Sequence, residues 1–394
     1  MATPITITIG TDGSVSPFGG QLLRDGTDIP PLPEYEEYAE EVPGYAGRYL
    51  FGQDPRTREI NLAVNIVKAE AQKASFLRQL AAWINPANGE MYLINNNDPD
   101  KRLKVICAEP PSYKDYFGRL KLNIPLVGRP YYESVALNTI SASGTAINKG
   151  NVSCPCTIVF GPGTNPSVSI GGVTVSYTGT IAAGCTVTIN TEKRTAIYTT
   201  GAGVVTNALA DVNGEFPWLA PNLLTPNQSE VETDTTGLTT AGLPGTLVRD
   251  TANYNLGAAS AKVTATAGSD ITLRSSIGTL GILVTVGASY TFTGYTKTTV
   301  AAGRQMHPLI SWYDSAGSLV TVSSGTNVSC PDAWTKMTIT ATAPATSVYA
   351  ASGFKVLSAL NGEILWYDTA SFTRGSNAVV ISDTVTITWR DWWI

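Results

Sequence analysis

Gly214-Glu-Phe-Pro-Trp-Leu-Ala-Pro-Asn-Leu-Leu-Thr225 is the junction on which the reading of this 394-residue chain turns. Before it, a run of short β-type segments stops abruptly. After it comes a self-contained block of different composition. At the far end, residues 376–394 read as a strand without a neighbour: Val385, Ile387 and Trp389 alternate with Thr384, Thr386 and Thr388. A period-2 segment with one apolar face needs a sheet to join. The nearest sheet that lacks a last strand is the one that stopped at Trp218. Insertions are tolerated where chain ends lie close together at a surface. The expected division is therefore an N-terminal domain over 1–135, a second domain made of 136–221 plus 376–394, and an inserted domain over 222–375.

Composition narrows the class. Charged residues make up 14% of the chain and the net charge is −5. No basic cluster exceeds two or three residues, so the footprint of a nucleic-acid binder is missing. No apolar run approaches the length of a membrane span. The opening Met1-Ala-Thr-Pro-Ile-Thr-Ile7 has neither a basic nor an apolar leader segment, so cytoplasmic synthesis is expected. Five scattered cysteines, Cys107, Cys154, Cys156, Cys185 and Cys330, do not form a disulfide framework and are expected as buried thiols.

Taken in order, residues 1–135 mix strands with one helix. Ile60, Leu62, Val64 and Ile66 share one face of a strand, as do Leu120, Leu122, Ile124 and Leu126. Between them Phe76, Leu77, Leu80, Trp83 and Ile84 form a helical stripe that Asn85-Pro86 ends. The acidic run 34–41 is expected as an exposed loop or arm. Short strands with Gly-rich turns over 136–221 have the spacing of a β-sandwich. The block 222–375 shows strands at 260–266, 290–295, 309–313, 318–322, 336–342 and 363–372, and no helix. The fold class is mainly β: a barrel or sandwich with one helix, a β-sandwich, and an inserted β-sandwich.

Particular motifs carry a resemblance. Gly47-Arg-Tyr-Leu-Phe51, Arg58-Glu-Ile-Asn-Leu62, Leu80-Ala-Ala-Trp-Ile-Asn-Pro86, Tyr113-Lys-Asp-Tyr-Phe117 and Arg129-Pro-Tyr-Tyr132 follow one another as in the distal tail proteins of long-tailed, non-contractile phages. Gly150-Asn-Val-Ser153, Gly179-Thr-Ile-Ala-Ala-Gly184, Phe216-Pro-Trp-Leu219 and the closing Arg390-Asp-Trp-Trp-Ile394 resemble that family's galectin-like sandwich. The inserted block is similar to jelly-roll carbohydrate-binding modules through Asn222-Leu-Leu-Thr225, Val231-Glu232, Ala261-Lys-Val-Thr-Ala-Thr266, Ile310-Ser-Trp-Tyr-Asp314 and Trp366-Tyr-Asp368. The resemblance implies a homohexameric ring between tail tube protein and tail-tip proteins, located in the virion and assembled in the host cytoplasm, without catalysis. It implies a host surface glycan as the partner of the insert, with no membrane and no sequence-specific nucleic acid. The alternatives are a secreted bacterial polysaccharide-binding protein and an insert that is only a spacer.

Chemistry agrees with a binder. His307 is the only histidine, and no nucleophile elbow, P-loop or paired Cys-x-x-Cys is present. An exposed aromatic stacks on the apolar face of a pyranose while polar neighbours take its hydroxyls. Trp312, Tyr313, Tyr290, Tyr295, Arg304 and His307 are the candidates, with Trp312 and Tyr313 on opposite faces of one strand. The jelly-roll resemblance further implies a structural Ca²⁺, for which Glu232 and Asp368 match the acidic positions.

Overall fold

The computed structural model describes residues 6–41, 48–116, 119–242, 245–300, 303–381 and 384–394. Gly47 and Phe117, from the motifs quoted above, lie outside these residues. Among the described residues no helix is long and apolar enough to cross a membrane. The chain divides into two compact units, one of residues 1–138 with 390–394 and one of residues 139–389.

The N-terminal unit is built on one sheet that closes on itself. Its strands run Lys101–Cys107, Met91–Asn95, Thr6–Ile9, Ser14–Ser16, Gly20–Leu22, Arg58–Val67 and Arg119–Gly128. The last pairs back onto the first through Leu126 opposite Cys107, so the barrel has no free edge there. The alternation read from the sequence fills the interior: Ile60, Leu62, Val64, Ile66, Leu120, Leu122, Ile124 and Leu126 are all buried. The helix Glu70–Trp83 lays Phe76 and Leu80 on this core, with Leu77 and Trp83 at its margin.

Two expectations change here. The acidic run is a strand, Tyr35–Glu41, paired with Arg48–Pro55 in a two-stranded antiparallel ribbon. Charge does not forbid a strand whose faces meet water, and Glu36 pairs with Arg56 at 2.8 Å. The last residues of the chain also leave the second domain. Trp392–Trp393 pairs with Tyr132–Ser134 of the N-terminal unit. Trp392 stacks on Tyr131 at 5.1 Å and the Lys101 ammonium lies 5.1 Å from the Trp393 ring. Two adjacent tryptophans thus find their aromatic and cationic partners in that unit.

In the second unit, Val385–Trp389 runs antiparallel to Cys154–Phe160, with Ile387 opposite Ile158. A further returning strand, Ala378–Ile381, pairs with Ser167–Ile170 in the facing sheet. Cys154 and Cys156 point into this sandwich, and burial pushes the Cys156 thiol up to about 12. Asparagines clasp the two crossings into the insert. The Asn377 side chain both donates to the Ala220 carbonyl at 2.7 Å and accepts from its N–H at 2.9 Å. Asn222 Oδ1 accepts from Phe372 N–H at 2.9 Å.

The insert is a two-sheet sandwich around one apolar core. One sheet runs Leu238–Gly242, Ser269–Ser275, Tyr349–Ala359, Gln305–Tyr313, Leu319–Ser324. The other runs Gly245–Asp250, Ser260–Ala265, Ile364–Arg374, Ser289–Thr298, Thr335–Thr342. A helix was not expected in this block, yet Pro226–Glu230 forms one turn and more. Thr225 caps it, Pro226 opens it, and Gln228 closes a capping box.

Candidate functional site

The two outer faces of the insert differ in what they meet. On the second sheet, Lys336 points outward and its ammonium donates to Thr145 Oγ1 of the neighbouring sandwich at 2.6 Å. Burial pulls the Lys336 pKa down. That edge of the sheet therefore meets the neighbouring sandwich of its own unit. The outer face of the first sheet is the one to examine for a ligand.

Strand Gln305–Tyr313 decides that face by its alternation. Met306, Ile310 and Trp312 belong to the core cluster. His307, Leu309, Ser311 and Tyr313 take the opposite side and are nevertheless buried, so neighbouring side chains cover this face. On the next strand, Gly353 stands opposite Leu309, and Arg274 of Ser269–Ser275 stands opposite Gly353. A Cβ at Gly353 would lie 2.7 Å from that of Arg274 and 2.0 Å from the Leu273 carbonyl oxygen. The missing side chain lets Arg274 lie across the middle strand and donate from Nη1 to Ser311 Oγ at 2.7 Å.

The polar groups on this face are unevenly satisfied. His307 Nδ1 is 2.8 Å from Asn327 Oδ1, and burial holds its pKa below the ordinary value. Lys355 pairs with Asp270 at 2.8 Å, which lowers the Asp270 pKa. Arg274 Nε and the Tyr313 hydroxyl are buried without a partner among the described residues. Unpaired buried groups of this kind are uncommon and require a reason.

Of the six saccharide candidates, the structure brings only His307 and Tyr313 together on this face. Trp312 is fully buried, its indole N–H donating to Ser323 Oγ at 2.9 Å. Tyr290 stacks on Phe372 with centroids 5.4 Å apart, and its hydroxyl accepts from Thr285 N–H. Both belong to the core and cannot stack on a sugar. Their apolar bulk found a better place against the sandwich interior than at its surface. Tyr295 is half-buried on the other sheet, opposite Lys336. Arg304 is taken by an ion pair with Glu363. Arg274, Ser311 and Gly353 were not singled out in the sequence. The period-2 run Asp270, Thr272, Arg274 against Ile271 and Leu273 is the signal that marks Arg274 as outward.

The two acidic candidates both bond the loop 255–258. Asp368 is fully buried. Its Oδ2 accepts from the N–H of Asn255 at 2.7 Å and of Leu256 at 3.1 Å, and its Oδ1 from Thr369 N–H at 2.7 Å. Glu232 receives Ala258 N–H on the same loop, at 2.9 and 3.1 Å. Desolvation, with the Glu232 charge adding to it, raises the Asp368 pKa to about 6. Gly257 between them has φ +77°, and a Cβ there would fall 1.6 Å from Glu232 Oε1. Two carboxylates converging on one loop, with oxygen capacity to spare, are the hard donors that Ca²⁺ takes. Among the described residues no three His, Cys, Asp or Glu side chains cluster, so its other ligands would be amide, hydroxyl or carbonyl oxygens.

Comparison with known proteins gives distant structural likenesses and one family match over part of the chain. The N-terminal CBM22-1–GH10 modules of Clostridium thermocellum endo-1,4-β-D-xylanase 10B align at 17% identity with a TM-score of 0.31, over 37% of this chain and only 28% of theirs. The Dit hub protein of phage SPP1 aligns at 12% identity over 51% of this chain and 85% of its own, TM-score 0.41. The CBM22-1 xylan-binding domain of Paenibacillus barcinonensis Xyn10C gives 16% identity, 40% and 97% coverage, and a TM-score of 0.33. No curated protein matches the chain. Residues 21–127 match the family described as the phage tail protein RIFT-related domain, which covers most of the barrel. The match spans about a quarter of the chain, and it is this segment that is similar to the tail domain.

Proposed function

We propose that the chain is a subunit of the hub at the distal end of a phage tail, and that its insert binds host surface carbohydrate. The observation that carries this reading is a RIFT-related tail domain on the same chain as a sandwich insert with a polar sheet face whose donors are not all satisfied. Six copies form a ring through the N-terminal unit, between the tail tube protein and the tail-tip proteins, in the virion. The insert acts by binding rather than by catalysis. Six copies on one ring give avidity, because each later contact is intramolecular. His307, Ser311, Tyr313 and Arg274 supply the polar contacts of the face. Glu232 and Asp368 hold a structural Ca²⁺, which fixes the loop around Gly257. Light scattering on the full chain tests the ring: the expected mass is six times the 41.6 kDa of one chain. A monomer at high concentration contradicts it.

A further inference from the structure

We propose that the saccharide taken by the insert is anionic, carrying a carboxylate or a phosphate, and that Arg274 is its anchor. The proposal rests on reading the insert as a saccharide-binding module and names the ligand class of that face. The charges described on the face do not cancel. Lys355 is answered by Asp270, and His307 is held toward its neutral form. Among the described residues Arg274 has Ser311 as its hydrogen-bond partner but no carboxylate, and its Nε is buried without an acceptor. A guanidinium binds a carboxylate or phosphate through two parallel N–H bonds between opposite charges, stronger than the bonds it makes to neutral hydroxyls.

Tyr313 supplies the second, independent observation. Its side chain is 4% exposed, it lies outside the core cluster, and its hydroxyl has no partner. It sits two residues beyond Ser311 on the same strand, and therefore on the side that Arg274 crosses. Two buried donors on one face are left without acceptors among the described residues, and a ligand group rich in acceptors would supply them. Gly353 is what makes the arrangement possible, because any side chain there would lift Arg274 off the sheet.

The experiment measures binding of the full-length chain to three soluble polymers at low and high salt. These are neutral arabinoxylan, polygalacturonate, and a poly(glycerol phosphate) teichoic acid. Binding to polygalacturonate alone assigns a uronate, and binding to the teichoic acid alone assigns a phosphodiester. Binding to both, weakened by salt, assigns the shared charge. In each case Arg274→Met lowers affinity about tenfold or more, as expected for a charged hydrogen-bonded pair. Tyr313→Phe guards against a merely structural effect. It removes a hydroxyl that has no partner, so the melting temperature stays or rises while binding weakens. Arabinoxylan bound as tightly as the anionic polymers, and equally well by Arg274→Met, overturns the anionic class and leaves the saccharide reading intact. A folded wild-type chain that binds none of the three overturns both.

Discussion

Removing divalent cations and raising the pH should weaken the insert through one residue, Asp368. Its carboxyl is fully buried and its pKa is raised from 3.8 to about 6, chiefly by desolvation. A carboxyl that holds its proton more tightly folded than unfolded stabilises the fold at low pH. That contribution is fully present below the unfolded value and is lost as pH rises through the folded one. At about 1.4 kcal/mol per pKa unit, the loss from below about pH 3 up to about pH 7.5 is about 3 kcal/mol. Other groups run the opposite way. His307, with its pKa lowered by burial, costs stability as pH falls below its ordinary value. Asp270 and Asp234, lowered by bonds to Lys355 and Thr236, lose theirs at still lower pH. The assay is therefore a difference: urea unfolding of wild type and Asp368→Asn, both in chelator, across that range. Wild type should lose about 3 kcal/mol relative to the variant as the pH rises. Calcium should return about 2.7 kcal/mol to wild type alone at a hundredfold excess over its dissociation constant. A wild-type-minus-variant difference that stays constant with pH would falsify the burial argument.

Three substitutions probe the framework. Ile387→Ala, at a fully buried position opposite Ile158, should cost about 2–5 kcal/mol of the second unit's stability in chemical denaturation. Trp312→Ala should unfold the insert, at about 3–5 kcal/mol, rather than merely abolish binding; a variant with unchanged melting and lost binding would put Trp312 back in the site. Gly257→Ala drives a methyl into Glu232 and strains a left-handed residue, so calcium should no longer raise the melting temperature of that variant.

Much of the scaffold could be read from alternation alone. Ile60 to Ile66, Leu120 to Leu126 and Val385 to Trp389 each show one apolar face, and each buries it. The capped turn was equally legible in Thr225-Pro-Asn-Gln228 but short enough to pass as loop. Tyr349–Ala359 was missed although it is central to its sheet, because Ala350, Ala351, Ser352 and Gly353 lack the β-branched side chains that mark a strand. The site was harder still. Parity along Gln305–Tyr313 separates Trp312 from Tyr313 but does not say which side is core. That is settled by Tyr290 and Phe372, which belong to the facing sheet. Arg274 acquires its meaning only from Gly353, nearly eighty residues away, and no local pattern contains that pair.

The central claim, that the insert is the part that holds the host, has one direct measurement. Joining Asn222 to Ser376 through a short Gly/Ser linker removes the insert and keeps both returning strands, Ala378–Ile381 and Val385–Trp389, with their own sandwich. Co-sedimentation with purified host cell walls then compares this soluble, shortened chain with the full one. The account predicts that the full chain pellets with the walls and the shortened chain stays in solution. A shortened chain that pellets as completely as the full one contradicts it.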